Sequence, residues 1–459
     1  MTSTFHGLEV GKRSLYTQQT ALTTTGNNIA NANTPGYSRQ RVDMQATSSI
    51  TYPYQTGSSN SQLGTGVSVQ SIERVRSEYL DGQFRERNAQ LSSESTKLET
   101  LQQIESMTGE PGENGLSATL DRFYSAWEDL ASNPDSLAAR AVLVERSEEL
   151  IGQGKTLNKG LTSLSTSVSD QVTAVKDQIT SLSTQVNSLN KEIVSNPKAN
   201  ELKDRRDQLI DEMSSLINVN VTANANGSVD VSYNMDQPTG GKLAGLQQSL
   251  DATKGVQEDL NEMFDQLISG SVTTEVDGST QQYAGINELM TSGFSLVRDA
   301  NGTMQQGKPM FDTTGTGATV LERTSINGEV KANPASIAAS SKNDTIGNGD
   351  IASAISELKN KTFSFDVSGS PDQTEASVND FYSMLISRLG SKTQSSERTV
   401  ENHQSVLKSI DNNRMSVSGV SLDEEMSNLV QFQHAYNAAA RYISTTDELL
   451  DVIINRMGV

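Results

Sequence analysis

The chain has 459 residues, 34% hydrophobic and 20% charged, with 36 Lys and Arg against 56 Asp and Glu for a net charge of −20. At about 150 residues per domain there is room for roughly three domains, and the acidic balance excludes a phosphate-backbone binder, which needs clustered Lys and Arg. With no Cys, disulfides, thiolate zinc sites and Cys nucleophiles are excluded, and the longest apolar run, Ala141–Val144, falls far short of the about 20 residues of a membrane span.

From the N-terminus, Leu8, Leu15, Leu22 and Ile29 recur every seven residues. One apolar residue per heptad makes a narrow seam suited to a partner helix. No basic stretch followed by an apolar one precedes it, so no conventional secretory leader is expected. Periodicity predicts helices over 78–107 and 116–150, with Gly109 to Gly115 as the loop between them. The strongest pattern runs from Leu161 through Val172, Ile179, Val186 and Ile193, and Asn196-Pro197 stops it. A helix from Asn200 to Ile217 follows, burying Leu202, Leu209, Met213 and Leu216.

After Asn218 the pattern shifts to alternation. Val219, Val221 and Ala223, then Val229, Val231 and Tyr233, flank Asn226-Gly227, which spells a β-hairpin. Further turn pairs stand at Asp277-Gly278 and Asn301-Gly302, with a helix over about Leu243 to Ile268 between hairpins. Residues 320–356 are mixed, 373–411 return to helix, and Asn412 to Ser421 break it. In the C-terminal segment Leu422, Leu429, Tyr436, Ile443, Leu450 and Met457 again fall every seven, reinforced by Phe432, Ala439 and Ile453. Residues 1–45 carry four basic and two acidic groups, and 420–459 carry two basic and six acidic. Two narrow seams of opposite charge bias read as helices made to pair; two independent surface helices remain the alternative.

The expected fold is mainly α with an inserted β-rich domain, elongated and multi-domain. A terminal coiled-coil domain is expected from 1–45 and 420–459, a helical bundle with minor β from 46–217 and 320–419, and a β-rich outer domain from 218–319.

Catalytic and metal signatures are weak. Gly302 to Pro309 matches a phosphate loop up to Lys308, but Pro309 replaces the hydroxyl residue that would hold magnesium, and no helix is expected to follow. His6, His403 and His434 form no HExxH, and no GxSxG occurs. His6 and His434 would meet only if the terminal helices align them, and rim positions are the plainer reading. Asn220 to Tyr233 resembles a calcium loop only until Tyr233 takes the place of its final Glu. Trp127, with Leu120, Phe123 and Leu130 at helical spacing, reads as a core anchor. No catalytic residue, metal ligand or cofactor is expected.

Thr34-Pro35-Gly36-Tyr37 suits a type II turn, preceded by Asn27, Asn28, Asn31 and Asn33 at a weakened helix end. These residues carry a resemblance. GNNIANANTPGYSRQ, Gly26 to Gln40, resembles the N-terminal signature of bacterial flagellar axial proteins, with Asn31, Asn33, Thr34, Pro35, Gly36 and Tyr37 as its turn. Ser421 to Ile454 is similar to their C-terminal helix, and Phe123 to Leu150, Glu201 to Leu216 and Thr239 to Leu246 resemble the FlgK family of hook-associated proteins. The resemblance implies a non-enzymatic structural part of the flagellum joining hook to filament, with terminal helices paired in a coiled coil. The interface residues would then be Leu8, Leu15, Leu22 and Ile29 against Leu422, Leu429, Phe432, Tyr436, Ile443 and Leu450. It further implies hook protein, FlgL and neighbouring FlgK-like subunits as partners, and the chaperone FlgN on the C-terminal helix. The chain would leave the cytoplasm by type III export without a cleaved signal, and bind neither nucleic acid nor membrane. Another axial protein (FlgL or hook protein) and a type III-secreted coiled-coil adhesin or translocator are the rival readings.

Overall fold

The computed structural model describes residues 5–51 and 62–452; Ile453 and Met457 of the C-terminal seam lie outside them. α1 (His6–Ala30) leads into β1 (Gln40–Ala46), the two-residue strands β2 (Ile50–Thr51) and β3 (Gln62–Leu63), and β4 (Val67–Arg74). Four helices follow: α2 (Glu78–Thr108), α3 (Leu116–Ser132), α4 (Leu137–Ser195) and α5 (Asn200–Leu216). The pair β5 (Asn220–Ala223) and β6 (Val229–Ser232) precedes α6 (Gly241–Ser269), and β7 (Ser271–Val276) and β8 (Ser279–Ala284) precede α7 (Gly285–Ser292). Short elements then alternate: β9 (Phe294–Arg298), β10 (Met304–Gln306), β11 (Phe311–Asp312), α8 (Val320–Arg323), β12 (Ser325–Ile326), α9 (Gly328–Ala332), β13 (Ala338–Ser340) and α10 (Asp350–Glu357). β14 (Phe363–Asp366) and β15 (Gln373–Ala376) lead to α11 (Val378–Ser418) and α12 (Leu422–Asp451). The fold is mainly α, and its sheets are small and antiparallel.

Turn chemistry behaves as the sequence predicts. Gly227 has φ +86° in the β5–β6 connection, and Asp277 and Gly278 (φ +50° and +72°) close β7–β8 as a two-residue turn. Helix limits differ in four places. The expected helix over 116–150 is cut at Asn133–Ser136, where Pro134 lacks a donor and the Ser136 hydroxyl accepts from the Ala139 N–H at 3.1 Å. The helix expected from Leu161 instead begins at Leu137 and runs 59 residues through Gly152, Gly154 and Gly160. A glycine costs a helix about 1 kcal/mol against Ala, less than close packing can return. The span 373–411 opens with β15, and its helix starts after Ser377, which caps Asp380 N–H at 3.1 Å. That helix then passes Asn412 and ends only before Gly419, where the chain turns.

Contacts group the described residues into two compact units, one from 1–91, 177–241 and 402–459, the other from 92–176 and 242–401. The stretch 218–319 gives β5 and β6 to the first and α6 to β11 to the second. The second unit is centred on α3, whose Leu120, Phe123, Trp127 and Leu130 are fully buried. Trp127 meets Phe123 edge-on at 6.4 Å, and Phe365 stacks on Phe381 at 4.1 Å. A polar link crosses this core: Asn261 Nδ2 donates to Asn158 Oδ1 (2.9 Å), Leu321 N–H to Asn261 Oδ1 (3.0 Å) and Asn158 Nδ2 to Thr319 Oγ1 (3.1 Å). Buried amides so satisfied fix α4, α6 and α8 in one register. Arg140, fully buried, donates to the carbonyls of Pro134 (2.6 Å) and Ile337, and burial pushes its pKa down to about 10.

Candidate assembly interface

In the first unit α1 and α12 pack antiparallel, with Gly11 against Ile443, Gly7 against Tyr442 and Thr446, and Asn28 against Glu425. The buried line of α1 is made of small and polar residues: Gly11, Thr17, Ala21, Thr24, Thr25 and Asn28. Leu8, Leu15, Leu22 and Ile29 flank it half-buried. On α12, Ala439 and Leu450 are buried, Leu429, Phe432, Tyr436 and Ile443 half-buried, and Leu422 is 50% exposed. The antiparallel register sets Leu8 level with Thr445 and Thr446, and Leu15 level with Ala438 and Ala439. The two apolar series are therefore staggered. His6 and His434 stand about 20 Å apart along the axis at 1.5 Å per residue, so they do not meet. The other face of α1 rests on β4, where Thr17 Oγ1 donates to Val67 O at 3.4 Å.

The segment after α1 joins both chain ends. Tyr37 N–H donates to Thr34 O at 3.2 Å with Gly36 at φ +80°, a type II turn. Asn31 Nδ2 reaches back to Asn27 O (3.0 Å) and its Oδ1 accepts from Thr34 Oγ1 (3.2 Å), while Asn33 and Pro35 are exposed. Asn28 then uses its whole amide. Its Nδ2 donates to Gln40 O (2.8 Å) and Glu425 Oε2 (3.0 Å), and its Oδ1 accepts from the Tyr37 hydroxyl (2.8 Å) and Gln40 N–H (3.0 Å). Arg39 Nε donates to Glu425 Oε1 and its Nη1 to Glu424 Oε2, both at 2.8 Å, while its N–H donates to Ser418 O at 2.9 Å. Glu425, only 2% exposed, is thus held by one amide and one guanidinium. Burial, with Asp204, Glu201 and Glu425 nearby, pushes the Tyr37 phenol up to about 12.

Ser38 N–H donates to Asp204 Oδ2 at 3.2 Å, tying the same segment to α5. Asp204, Asp207 and Asp211 share one face of that helix at i, i+3 and i+7. Arg74 bridges Asp204 (2.9 Å) and Asp207 (2.8 Å), Arg76 bridges Asp81 (2.8 Å) and Asp207 (3.3 Å), and Arg85 pairs with Asp211 (2.7 Å). Arg414 of α11 reaches Asp81 (2.7 Å) and Asp211 and lies 4.7 Å over the Phe84 ring. Burial alone would raise the Asp207 carboxyl, but Arg76, Arg74, Arg206 and Arg85 hold it below the ordinary carboxylate range. None of these pairs was legible as a pair, because the partners lie more than 100 residues apart in most cases. The three-aspartate face of α5 was the available signal.

Among the described residues no cluster of His, Cys, Asp or Glu could hold a metal ion, and no helix is long and apolar enough to cross a membrane. The arrangement ties the segment after α1 to α12 and α5. Three family models match stretches of the chain: flagella basal body rod protein over residues 8–37, flagellar hook-associated protein FlgK helical domain over 101–239, and flagellar basal body rod FlgEFG protein C-terminal over 411–457. Flagellar hook-associated protein 1 of Bacillus subtilis (strain 168) is 31% identical, covering 100% of this chain and 99% of that protein. The chain belongs to the flagellar hook-associated protein 1 family. The relative from Salmonella typhimurium (strain LT2) is 25% identical, covering 95% of this chain and 97% of its own. The solved structure of the flagellar hook junction protein FlgK from Burkholderia pseudomallei shares the fold, with TM-score 0.53 and 14% identity over 73% of this chain and 100% of that one. As a flagellar hook-associated protein, the chain is a structural component of the flagellum, an extracellular assembly, at the hook–filament junction. Its relatives are structural flagellar proteins, and the rod-type matches at both ends imply contact with other axial components.

Proposed function

We propose that the antiparallel α1–α12 pair is the element through which this chain joins hook to filament, packing on hook protein at one side, FlgL at the other and neighbouring copies between. The observation that supports this is apolar surface left uncovered on that pair: Tyr16 on α1, and Leu422, Met426, Val430, Tyr442 and Leu449 on α12, are each 47% exposed or more. Apolar surface gathered on two helices is what subunit packing would cover. The half-buried Leu8, Leu15, Leu22, Ile29, Leu429, Phe432, Tyr436 and Ile443 take part from the rim of the same surface. Before assembly, α12 is covered by the export chaperone FlgN, and the chain leaves the cytoplasm without a cleaved signal. Its role is non-enzymatic.

Deletion and complementation, scored for motility and by electron microscopy, test the reading. Hooks without filaments, with filament protein shed into the medium, are the expected result. Cells lacking hooks would move the chain to rod or hook, and fully filamented swimming cells would overturn the reading. Truncating 420–459 should abolish chaperone binding; unchanged binding would remove FlgN from α12.

A further inference from the structure

Five Asn-Gly steps occur in the chain, at Asn114, Asn226, Asn301, Asn327 and Asn348. An asparagine before glycine is open to one spontaneous reaction, because glycine has no Cβ to shield its nitrogen or restrict its rotation. The glycine nitrogen attacks the Asn Cγ, the side-chain nitrogen leaves as ammonia, and a succinimide ring forms. Water then opens the ring to aspartate or to isoaspartate. Closure needs a side-chain amide free to turn over the next peptide and a glycine free to follow it.

The structure treats the five steps differently. Three of the side chains are held by the peptide N–H two residues on. Asn226 Oδ1 accepts from the Ser228 N–H (3.0 Å) and hydroxyl (2.7 Å), and Asn348 Oδ1 accepts from the Asp350 N–H (3.2 Å). Asn327 caps α9, its Oδ1 accepting from the Glu329 N–H at 2.9 Å. Each such bond that has to be released slows closure by about fivefold. Asn114 and Asn301 are exposed, and neither side chain has a hydrogen bond among the described residues.

The glycines separate these two. Both donate to a carbonyl three residues back, Gly302 to Asp299 O (3.0 Å) and Gly115 to Gly112 O (3.1 Å), so that cost is common to them. Gly115, however, is buried at the N-cap of α3, with the Glu110 carboxylate standing where a Cβ would be. A shift of its backbone would have to move that carboxylate, which accepts from the Ser117 N–H at 2.9 Å. Gly302 is exposed in the turn between β9 and β10, and nothing lies within 4 Å of the same position.

We propose that Asn301 is a self-modifying site: in the folded chain it converts to aspartate and isoaspartate, with water consumed and ammonia released, ahead of the other four. The new carboxylate arises two residues from Asp299, whose Oδ1 already accepts from the Asn301 N–H (2.8 Å) and the Thr303 N–H (2.9 Å). The isoaspartyl form also inserts a methylene into the main chain of the turn that joins β9 to β10.

The test separates what the sequence allows from what the fold selects. Purified full-length chain is kept in mildly alkaline buffer, folded or in urea, and sampled for peptide mass spectrometry, with isoaspartyl methyltransferase labelling to tell the two products apart. In urea, where only the sequence acts, the five steps should convert at comparable rates. In the folded chain Asn301 should lead Asn226, Asn327 and Asn348 by about fivefold or more, and lead Asn114 as well. Asn301→Gln, a change at an exposed turn, should remove most of the isoaspartyl label from the folded chain. Earlier conversion at any of the other four, or undiminished labelling of Asn301→Gln, would overturn the proposal. Asn226 reacting first would mean that hydrogen bonds to Oδ1 activate Cγ instead of restraining it, which reverses the argument.

Discussion

Asn28 is the residue on which both ends of the chain converge, and its four hydrogen bonds exhaust its amide. Replacing it with Leu keeps the volume and strands four polar groups on three residues, among them the Glu425 carboxylate at 2% exposure. Leaving buried partners unpaired costs about 1–3 kcal/mol each, somewhat offset by relaxation, so Asn28→Leu should destabilise the terminal pair by about 3 kcal/mol. Hydrogen exchange checks this: the Gln40 amide should exchange on the order of a hundred times faster. Tyr37 gives a second prediction, in pH. Its folded pKa, pushed up to about 12, stands above the 10.0 of an ordinary tyrosine, so the neutral phenol is favoured in the folded state. The stabilisation is complete below pH 10 and is lost as pH rises through 12, because the unfolded chain ionises first. Far-ultraviolet melting across pH 9–12 should show a falling midpoint, and Tyr37→Phe should flatten the part of that fall due to this residue. An unchanged slope would place the alkaline loss elsewhere.

At the scale of elements, α4 shows why pattern reading stopped short. Its apolar spacing is strong from Leu161 onward and fades across Gly152, Gly154 and Gly160, so spacing alone divides what is a single 59-residue helix. What keeps it helical there is contact with residues remote in sequence: a Cβ on Gly154 would come within 2.6 Å of Phe264 and 2.9 Å of Leu321. Two alanine substitutions two residues apart should therefore have opposite signs. Gly152 faces open space, and Gly152→Ala should stabilise by about 0.5–1 kcal/mol through the lost unfolded-state entropy. Gly154→Ala should instead cost about 1–3 kcal/mol by overpacking. Urea unfolding of the two variants decides it, and equal effects would mean that the α4–α6 contact is loose. Hairpins were legible because their turns are local: Asn226-Gly227 and Asp277-Gly278 specify positive φ whatever surrounds them. β15 was not, since four residues next to a helical pattern gain strand pairing only from β14.

For the molecule as a whole, the heptads at both ends pointed to helix pairing, but not to which residues touch. Spacing alone favours Leu on Leu, whereas the helices meet through Gly11, whose absent side chain admits Ile443. A Cβ there would lie 2.6 Å from Ile443 Cγ1 and 3.1 Å from Tyr442 Cδ1. Gly11→Val should thus push α1 off α12, at about 1–3 kcal/mol, without touching either unit's core. If the pair is the assembly element, cells making this variant should export it at the normal level yet carry several-fold fewer filaments per hook. Gly26→Ala, where nothing lies within 4 Å, serves as the neutral control on the same helix. Combining Gly11→Val with Ile443→Ala returns the lost space, and filament number should recover at least in part. Recovery would show that the defect comes from helix spacing, because a lost surface contact could not be rescued by trimming its buried neighbour. Normal filamentation by Gly11→Val alone would separate the α1–α12 pair from assembly.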